Sequence, residues 1–370
     1  MSRAIPTAGW PVVNAQPVVN AQPVVNAQPV VNAMTVDVED WFQVQAFAGC
    51  IDRTEWDAKE SRVAANVDRI LALFSEANVR ATFFTLGWIA QRHPAMVRRI
   101  VAAGHELASH GWEHVRADTQ DPATFRADVE RTRLTLEDIG GVAVTGYRAA
   151  TFSIGARNLW TFRVLEQVGY AYSSSVNPIR HDLYGMPDAP RTPFRPEGGR
   201  LWEIPMTTVA AFGRNWPCAG GGYFRLLPYG LYRRGLSSVH RNDHASGVFY
   251  FHPWEVDPNQ PRVGHASWKS RLRHYTNLST MHGKLERVLR DFTWDRMDRV
   301  FAALVMNQGV ERNNDERPLA LREGAGGRSA TTPASWQFAP LPPAPSLEGS
   351  GRSCSFSCYP FAATHPAPSA

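Results

Sequence analysis

The chain has 370 residues, of which 44% are hydrophobic and 20% are charged, and its formal net charge is +5. This composition is that of a soluble globular protein. The basic excess is small and scattered, so it does not indicate a nucleic-acid-binding protein. The four cysteines form no CxxC pair or regular framework, which argues against a cysteine zinc site and a disulfide scaffold.

The sequence carries no signal for a membrane or for secretion. No stretch of about 18 consecutive apolar residues occurs, so no transmembrane helix is predicted. The N-terminus lacks the charged start, apolar run and small-residue cleavage site of a secretory signal peptide. We therefore expect a cytoplasmic protein.

Two flanking segments differ from the rest of the chain. Residues 11–33 repeat the hexapeptide PVVNAQ, and each copy contains a proline, which removes a hydrogen-bond donor from a strand. We interpret residues 1–33 as a flexible leader. Residues 311–370 are rich in Pro, Ser, Gly and Ala and can bury little apolar area, so this tail is predicted to be disordered. One domain is predicted over residues 34–310.

Strands and helices alternate within this domain. In chain order, the hydrophobic pattern predicts strand 34–38, helix 62–75, strand 79–86, helix 88–103, strand 106–109, helix 122–139, strand 142–147, helix 156–168, strand 170–176, helix 226–240 and strand 248–251. Strands separated by helices indicate βαβ units and a parallel sheet. Six or more such units predict an α/β fold, a (β/α) barrel or a distorted relative, in which functional side chains lie at the C-terminal ends of the strands.

The first polar cluster ends the strand 34–38 and contains Asp37, Glu39 and Asp40. Three carboxylates within four residues repel one another unless a cation or a catalytic role compensates. A solvated turn or a cap for the next helix is the structural alternative.

The second polar cluster follows the strand 106–109 and contains His110 and His114. Their spacing places both imidazoles on one face if the segment forms a helical turn, and neutral imidazole is a common zinc ligand. Two histidines four residues apart also occur by chance. Gly111 stands where HExxH metalloproteases carry their catalytic glutamate, so that class is excluded.

Two further clusters follow later strands. Arg148 ends the strand 142–147, where an arginine can orient a carboxylate, and His252 ends the apolar strand 248–251. A lone histidine in such a place is more often a core residue than a catalytic acid. Together, however, the four clusters supply two imidazoles and a carboxylate for an open metal site, with further acid–base groups beside it.

These motifs resemble those of the NodB-homology polysaccharide deacetylases, carbohydrate esterase family 4. The resemblance covers about residues 34–300 and includes the stretches TVDVEDWFQV, RATFFTLGWIA, GHELASHGWEH, GYRAATFSI and YFHPWEVDPNQPR. The amino-acid sequence of these stretches is most similar to that of a bacterial branch encoded in exopolysaccharide loci associated with the exosortase (PEP-CTERM) sorting system. The resemblance implies a distorted (β/α) barrel, one divalent metal ion, usually zinc, and an N-acetylated polysaccharide or oligosaccharide as substrate.

The resemblance also implies roles for single residues. Asp37 would be the general base, and His110 and His114 would be metal ligands. Either Glu39 or Asp40 would be the third, acidic ligand, and Glu39 is preferred because it lies on the same side of an extended strand as Asp37.

The later motifs would complete the site. Arg148 would hold Asp37 in place, and the backbone N–H near Thr151 would line the oxyanion site. His252 would be the general acid, and Glu203 is the candidate for the acid that tunes it. The positions that form the apolar acetyl pocket and its surroundings correspond to Phe249, Phe251 and Trp254. Ala150 replaces a proline of the family, and this change is expected to loosen the loop.

Two other functions stay open beside hydrolysis of N-acetyl groups on a polysaccharide: a deacylase of a small N-acyl compound and a non-catalytic carbohydrate-binding relative. Aromatic side chains across an open groove would favour a sugar chain. Trp41, Trp112 and Trp254 stand beside the motifs, where they could equally belong to the core. The binding relative would be expected to lack Asp37 or a metal histidine, and this sequence has both.

Overall fold

The computed structural model describes residues 30–305. The predicted leader up to residue 29 and the predicted tail from residue 311 lie outside this range. The strands are β1 (Val31–Val38), β2 (Thr82–Thr85), β3 (Glu106–Ser109), β4 (Gly146–Tyr147), β5 (Tyr172–Ser173), β6 (Trp202–Glu203), β7 (Thr208–Ala211), β8 (Arg214–Pro217), β9 (Val248–Phe251) and β10 (Thr293–Asp295).

The helices surround these strands. They are α1 (Val63–Glu76), α2 (Gly87–Arg92), α3 (Pro94–Ala102), α4 (Pro122–Gly140), α5 (Trp160–Val168), α6 (Gly221–Leu226), α7 (Tyr229–Ser238), α8 (Trp268–Tyr275), α9 (Leu278–Asp291), α10 (Met297–Val300) and α11 (Ala302–Val305). Among them, none combines the length and apolar character that crossing a lipid bilayer requires.

Eight strands form one parallel sheet in the order β10–β1–β2–β3–β4–β5–β6, with β9 also paired to β1. The start of β1 pairs with β10, and its middle pairs with β9. β7 and β8 form a separate antiparallel hairpin. A curled parallel sheet enclosed by helices confirms the predicted distorted (β/α) barrel of the NodB type.

Alternate residues of a strand face opposite sides of the curled sheet. Phe83, Phe249 and Phe251 belong to the large hydrophobic cluster that fills the space between strands and helices. Their neighbours Phe84 and Tyr250 belong to a smaller cluster, which occupies the barrel interior. The C-terminal ends of the parallel strands lie at the upper end of this interior. Side chains that face inward at these strand ends therefore reach the upper end.

Local sequence explains the best-predicted helix. The carboxylate of Asp121 accepts the N–H groups of Ala123 and Thr124, both at 2.9 Å, and Pro122 occupies the first helical position. Gly141 ends α4 with a φ of 65°, a conformation that favours glycine. The prediction of residues 122–139 therefore misses the end of α4 by a single residue.

Prolines make the bounds of two other helices differ from the predicted ones. The helix expected over 88–103 is split into α2 and α3, because Pro94 lacks the N–H that would continue the first of them. The helix expected over 226–240 begins only at Tyr229, as α7, since Pro228 separates it from α6. The strands expected over 142–147 and 170–176 keep only two paired residues each, β4 and β5.

The predicted boundary of the leader at residue 33 is also wrong. β1 begins at Val31, and Asn32 within it is fully buried. The Asn32 side chain donates to the carbonyl of Thr293 at 3.1 Å and accepts the N–H of Gly247 at 2.8 Å. The last residues of the repeat are thus part of the sheet, where they pair with β10.

Candidate active site

Two acidic side chains at the end of β1 face the same pocket. Asp37 lies in the strand and Glu39 follows it directly, and each is only 2% exposed. Both border the same cavity, as expected for residues two positions apart on an extended segment. Burial raises the pKa of Glu39 to about 7, the shift expected of a carboxylate that lacks enough positive charge around it.

Asp40 points elsewhere. Its carboxylate accepts the backbone N–H groups of Arg62 at 2.9 Å and Val63 at 3.2 Å, and the hydroxyl of Ser61 at 2.7 Å. These bonds satisfy N–H groups at the start of α1 that have no partner within the helix. Of the two acids left open as the third metal ligand, the geometry favours Glu39. It does not support Asp40, because the oxygens of that residue serve the helix start.

His110 and His114 converge through a left-handed turn, not through the helical turn that their spacing would require. Gly111 has a φ of 77° and His114 a φ of 53°, and the two imidazole centroids lie 5.4 Å apart. A Cβ atom at position 111 would lie 3.1 Å from a carboxylate oxygen of Asp128, which also accepts the N–H of Trp112 at 3.2 Å. A side chain of α4 therefore fixes this turn.

Both histidines are in the form that binds metal ions. The Nδ1 atom of His110 lies 2.9 Å from the carbonyl oxygen of Arg148. Because a carbonyl only accepts, Nδ1 carries the proton and Nε2 keeps its lone pair. Burial lowers the pKa of His110 to about 4 and lowers that of His114 well below its usual value. Both imidazoles are therefore neutral.

The three side chains fit a single divalent ion. One ligand atom from each of Glu39, His110 and His114 lies within 4.8 Å of the other two. Glu39 Oε2 is 3.0 Å from His114 Nε2, yet within residues 30–305 this buried oxygen has no hydrogen-bond partner. A cation bound between the two atoms would stabilise this carboxylate oxygen and bind the lone pair of the imidazole nitrogen. Two neutral imidazoles and a carboxylate, with positions left open, suit zinc or a similar metal.

Arg148 holds Asp37 from inside the barrel. Its fully buried guanidinium donates from Nη1 to Asp37 Oδ1 at 2.6 Å and to Thr35 Oγ1 at 2.7 Å. Nε donates to the carbonyl of Ser174 at 3.0 Å, and the guanidinium lies 4.0 Å from the ring centroid of Phe84. These contacts leave Asp37 little freedom to rotate.

His252 contacts the same acidic side chain as His114. Its Nε2 lies 3.3 Å from Glu39 Oε1, which also accepts the indole N–H of Trp254 at 3.2 Å. Burial disfavours the charged form of His252, but the charges of Glu39 and Glu255 outweigh it and raise the pKa to about 9. A protonated imidazole that borders the pocket can act as a general acid.

The acid that orients His252 is Glu255. Its Oε2 accepts the backbone N–H of His252 at 3.0 Å and lies 3.1 Å from Nδ1. Its Oε1 accepts from Nε of the buried Arg225 at 2.6 Å. Burial alone would raise the pKa of Glu255, but Arg225 and His252 lower it to about 2. Glu255 is therefore ionised, and it turns Nε2 of the histidine toward the pocket.

The expectation that Glu203 tunes His252 is wrong. Glu203 accepts the backbone N–H groups of Ser175 and Val176, both at 2.8 Å, and so supports the segment after β5. The sequence did carry a signal for the correct acid. Glu255 stands three residues after His252, the spacing at which a side chain in the first turn of a helix reaches back to the residue that precedes the helix.

The converging side chains line a pocket of about 140 Å³. Its walls are Asp37, Glu39, Val44, Gln45, His110, His114, Ala149, Thr151, Phe152, Tyr184, Tyr250, His252 and Trp254. Thr151 and Phe152 have φ values of 56° and 49°, which are unusual for residues other than glycine. The Oγ1 atom of Thr151 is buried and has no hydrogen-bond partner in the described part of the chain.

Phe249 and Phe251 do not line this pocket. Both are fully buried on the helix side of β9, so their assignment to the acetyl pocket is wrong. Since His252 faces inward, the residue two positions earlier, Tyr250, shares its side of the strand. Tyr250 forms the apolar wall with Phe152, and their ring centroids lie 4.9 Å apart.

The tryptophans beside the motifs form no open platform. Trp41, Trp112 and Trp254 are each 6% exposed and belong to the hydrophobic core. Trp254 alone of the three borders the pocket, and its ring is stacked between those of His252 and His274 at centroid distances of 5.1 and 4.1 Å. These tryptophans therefore give no support to binding of a sugar chain.

Hydrogen bonds hold the loop in which Ala150 replaces the usual proline. The N–H of Ala149 donates to Ser175 Oγ at 2.9 Å, and Ser153 Oγ donates to the carbonyl of Ala150 at 2.6 Å. Ser153 Oγ also accepts the N–H of Ala117 at 2.8 Å. These bonds oppose the loosening that the sequence led us to expect.

Two family models match adjacent parts of the chain. Residues 55–173 match the family "Polysaccharide deacetylase". Residues 174–302 match a domain of unknown function, DUF3473. A chitooligosaccharide deacetylase from Sinorhizobium fredii is 42% identical over 62 residues, which are 17% of this chain and 27% of that protein. These findings support a relationship of the chain to the polysaccharide deacetylase family.

Other relatives of this deacetylase-like chain cover it only in part. The peptidoglycan-N-acetylglucosamine deacetylase PgdA from Listeria monocytogenes is 30% identical over 79 residues, which are 21% of this chain and 17% of that protein. The chain thus matches only 17% and 27% of the length of these two curated relatives.

Solved structures resemble the chain more distantly. A structure from Mycobacterium smegmatis, provisionally assigned as a polysaccharide deacetylase, has a TM-score of 0.49 at 21% identity, over 82% of this chain and 98% of that chain. A pseudoenzyme of carbohydrate esterase family 4 from Bacillus anthracis has a TM-score of 0.40 at 12% identity, over 74% of this chain and 66% of that chain.

Proposed function

We propose that the chain is a metal-dependent deacetylase that hydrolyses N-acetyl groups on a polysaccharide. One observation carries this proposal: the ligand atoms of Glu39, His110 and His114 converge next to Asp37, which Arg148 holds in place. A set of metal ligands next to a separate carboxylate with a fixed orientation is typical of a hydrolase that activates water.

Asp37 serves as the general base. It accepts a proton from the water whose oxygen attacks the acetyl carbon, and Arg148 keeps its carboxylate aimed at that position. The backbone N–H and the buried hydroxyl of Thr151 donate to the carbonyl oxygen as negative charge develops on it. Tyr250 and Phe152 enclose the acetyl methyl group.

His252 serves as the general acid. When the carbon–nitrogen bond breaks, it gives its proton to the sugar nitrogen, and Glu255 stabilises the imidazolium before the transfer. The products are a free amine on the sugar and acetate. Glu39, His110 and His114 would hold a divalent ion, which we propose is zinc and which supplies polarisation of the carbonyl and of the attacking water when bound.

The wider context of the reaction is also a proposal. The resemblance of the motifs to the exosortase-associated branch supports a role in exopolysaccharide biosynthesis or modification. We propose a catalytic domain over residues 31–310, which shifts the expected start to Val31 because that residue opens β1.

Acetate release from N-acetylglucosamine oligomers tests the proposed function. We expect release by zinc-loaded protein, none after chelation, and a loss of about 100-fold or more in kcat for Asp37→Asn, because removal of a general base costs this much. The zinc content of Asp37→Asn should stay at that of the wild type. Asp68→Asn, which alters an exposed aspartate in α1, is the matched control and should keep full activity.

Two outcomes would contradict the proposal. One is the lack of acetate release from folded, zinc-loaded wild-type protein on several N-acetylated glycans. The other is full activity of Asp37→Asn. Release from small N-acyl compounds alone would favour the deacylase of a small substrate.

A further inference from the structure

A second, larger groove shares no lining residue with the active-site pocket. Its volume is about 840 Å³, and every residue that lines it falls between 178 and 227, within the part of the chain that matches the domain of unknown function. One wall is the segment 178–188, and the other is the β7–β8 hairpin. The proposed catalytic groups lie outside this groove and line the smaller pocket.

The hairpin presents two aromatic side chains to solvent. Phe212 at its tip is 96% exposed and has a φ of 53°, a strained conformation for a bulky residue. Trp216 is 51% exposed, and its indole N–H donates to the carbonyl of Ala211 at 3.1 Å, which fixes the orientation of the ring. Exposed and pre-oriented aromatic rings are typical of a binding surface.

The charges in the groove are mostly positive. Arg180 and Arg214 are exposed, and neither is paired with a carboxylate within residues 30–305. Asp188 is the acidic residue of the lining. Arginine that is free to make new bonds, next to a tryptophan, is a combination found at the centres of binding sites, and its guanidinium matches carboxylate and phosphate groups.

The segment between the groove and the active-site pocket connects them. The carboxamide of Asn215 donates to the carbonyl of Pro178 at 2.9 Å and so ties the hairpin to this segment. On the segment, His181 stacks on Tyr184 at a centroid distance of 4.0 Å, and Tyr184 borders the active-site pocket. The ring of His181 also lies edge-on to that of Tyr223, which lines the groove, at a centroid distance of 6.4 Å.

We propose that this groove binds a stretch of anionic polysaccharide, one that carries carboxylate or phosphate groups. Sugar rings pack against Trp216 and Phe212 while Arg180 and Arg214 pair with the acidic groups. The bound stretch continues over Tyr184 toward the active-site pocket, so the groove holds the chain whose acetyl groups are removed. In this respect the inference rests on the proposed function.

Affinity electrophoresis in native gels tests the groove without any hydrolysis. Chelated protein is run through gels that contain either polygalacturonate, an anionic polymer, or hydroxyethylcellulose, a neutral one. We expect polygalacturonate to retard the wild type and hydroxyethylcellulose to leave it unaffected. The double variant Arg180→Gln with Arg214→Gln, and separately Trp216→Ala, should each lose more than about fivefold in affinity for polygalacturonate.

Two matched variants separate the groove from surface charge in general. Arg98→Gln alters an exposed arginine of α3 that has no carboxylate partner within residues 30–305, and Trp268→Ala alters a 70% exposed tryptophan of α8. Both should retain wild-type retardation. The proposal is overturned if polygalacturonate does not retard the wild type, if both polymers retard it equally, or if the control variants weaken binding as much as the groove variants do.

The outcome does not depend on catalysis. Retardation by polygalacturonate with no acetate release would uphold the groove and contradict the deacetylase. Acetate release from short oligomers with no retardation would uphold the deacetylase and contradict the groove.

Discussion

At the scale of single residues, strain and unsatisfied bonding coincide in the loop after β4. Thr151 and Phe152 adopt positive φ values in succession, and the Thr151 hydroxyl is buried without a partner in the described structure. A buried polar group without a hydrogen bond destabilises the folded protein, so its retention points to a role with a ligand. We therefore treat this hydroxyl as a second donor to the carbonyl oxygen of the substrate.

Thr151→Val and Thr151→Ser separate the hydroxyl from the shape of the residue. Valine keeps the branched shape and the backbone strain but has no hydroxyl, whereas serine keeps the hydroxyl. We expect Thr151→Val to lower kcat/KM by about 10- to 100-fold, because a donor to the developing charge is lost. Thr151→Ser should stay within a few fold of the wild type, and equal activity of both variants would rule out the hydroxyl as a donor.

Glu255→Gln and Glu203→Gln decide which acid acts on His252. We expect Glu255→Gln to lower kcat by about 100-fold with little change in KM, since the imidazolium loses its stabilising partner. It should also lower the free energy of unfolding, because Arg225 is left buried without a carboxylate. Glu203→Gln should retain kcat, and the reverse ranking of the two variants would restore Glu203 as the tuning acid.

At the scale of elements, buried carboxylates fasten helices to the barrel. Asp40 holds the start of α1 through the N–H groups of Arg62 and Val63. Glu106 at the start of β3 accepts the hydroxyls of Thr82 and Tyr172 at 2.6 and 2.8 Å. It also accepts the N–H of Asp298 in α10, which closes the lower end of the interior, opposite the pocket.

Asp40→Asn tests the role of this residue at the helix start. We expect it to lower the free energy of unfolding by about 1–2 kcal/mol, as loss of a helix-capping carboxylate does, and to leave the zinc content of the folded protein unchanged. Glu39→Gln should have the opposite profile, with zinc lost. Urea unfolding and metal analysis measure both quantities, and loss of zinc in Asp40→Asn would return Asp40 to the ligand set.

Glu106 should make stability depend on pH. Burial, with Asp298 nearby, raises the pKa of this carboxyl to about 7 from a usual value of 4.5. The folded state therefore binds more protons than the unfolded state between these pH values, and this group lowers the free energy of unfolding as the pH rises through that window. Glu106→Gln, which mimics the protonated form, should flatten this dependence. An unchanged slope in urea unfolding from pH 5 to pH 8 would contradict the assignment.

At the scale of the whole molecule, the site joins distant parts of the chain. Glu39 follows β1, the two histidines follow β3, and His252 follows β9, while α10 closes the interior from below. A cation bound by Glu39, His110 and His114 would tie two of these segments together only in the folded state. Its binding free energy would then add to the stability of the fold.

Zinc should therefore stabilise the protein against urea. At a free zinc concentration 100 times the Kd, we expect the free energy of unfolding to rise by about 2.7 kcal/mol, provided that the unfolded chain does not bind the ion. The rise should vanish in His110→Asn. A wild type that responds no differently from His110→Asn would contradict the proposed ligand set.

The sequence by itself determined the alternation of strands and helices, the parallel sheet and the placement of the polar clusters at strand ends. These features follow from local hydrophobic periodicity, which a chain segment carries regardless of its partners. The alternation of side chains along β9 also predicts which of them face the pocket. Tyr250 and His252 lie on one face of the strand, whereas Phe249 and Phe251 lie on the opposite face, away from the pocket. The positions implied by the family resemblance do not follow this alternation of side chains along β9.

Only the tertiary structure decided which groups meet. Glu39 and Asp40 are adjacent and chemically alike. The carboxylate of Asp40 nevertheless accepts N–H groups at the start of α1, whereas that of Glu39 lies near the two histidines. Residues 31–33 belong to the sheet because β10, more than 250 residues later, pairs with them. Likewise, the groove exists because the β7–β8 hairpin bonds to the segment after Pro178. Such contacts depend on the register between segments far apart in the chain, and local sequence patterns carry no record of that register.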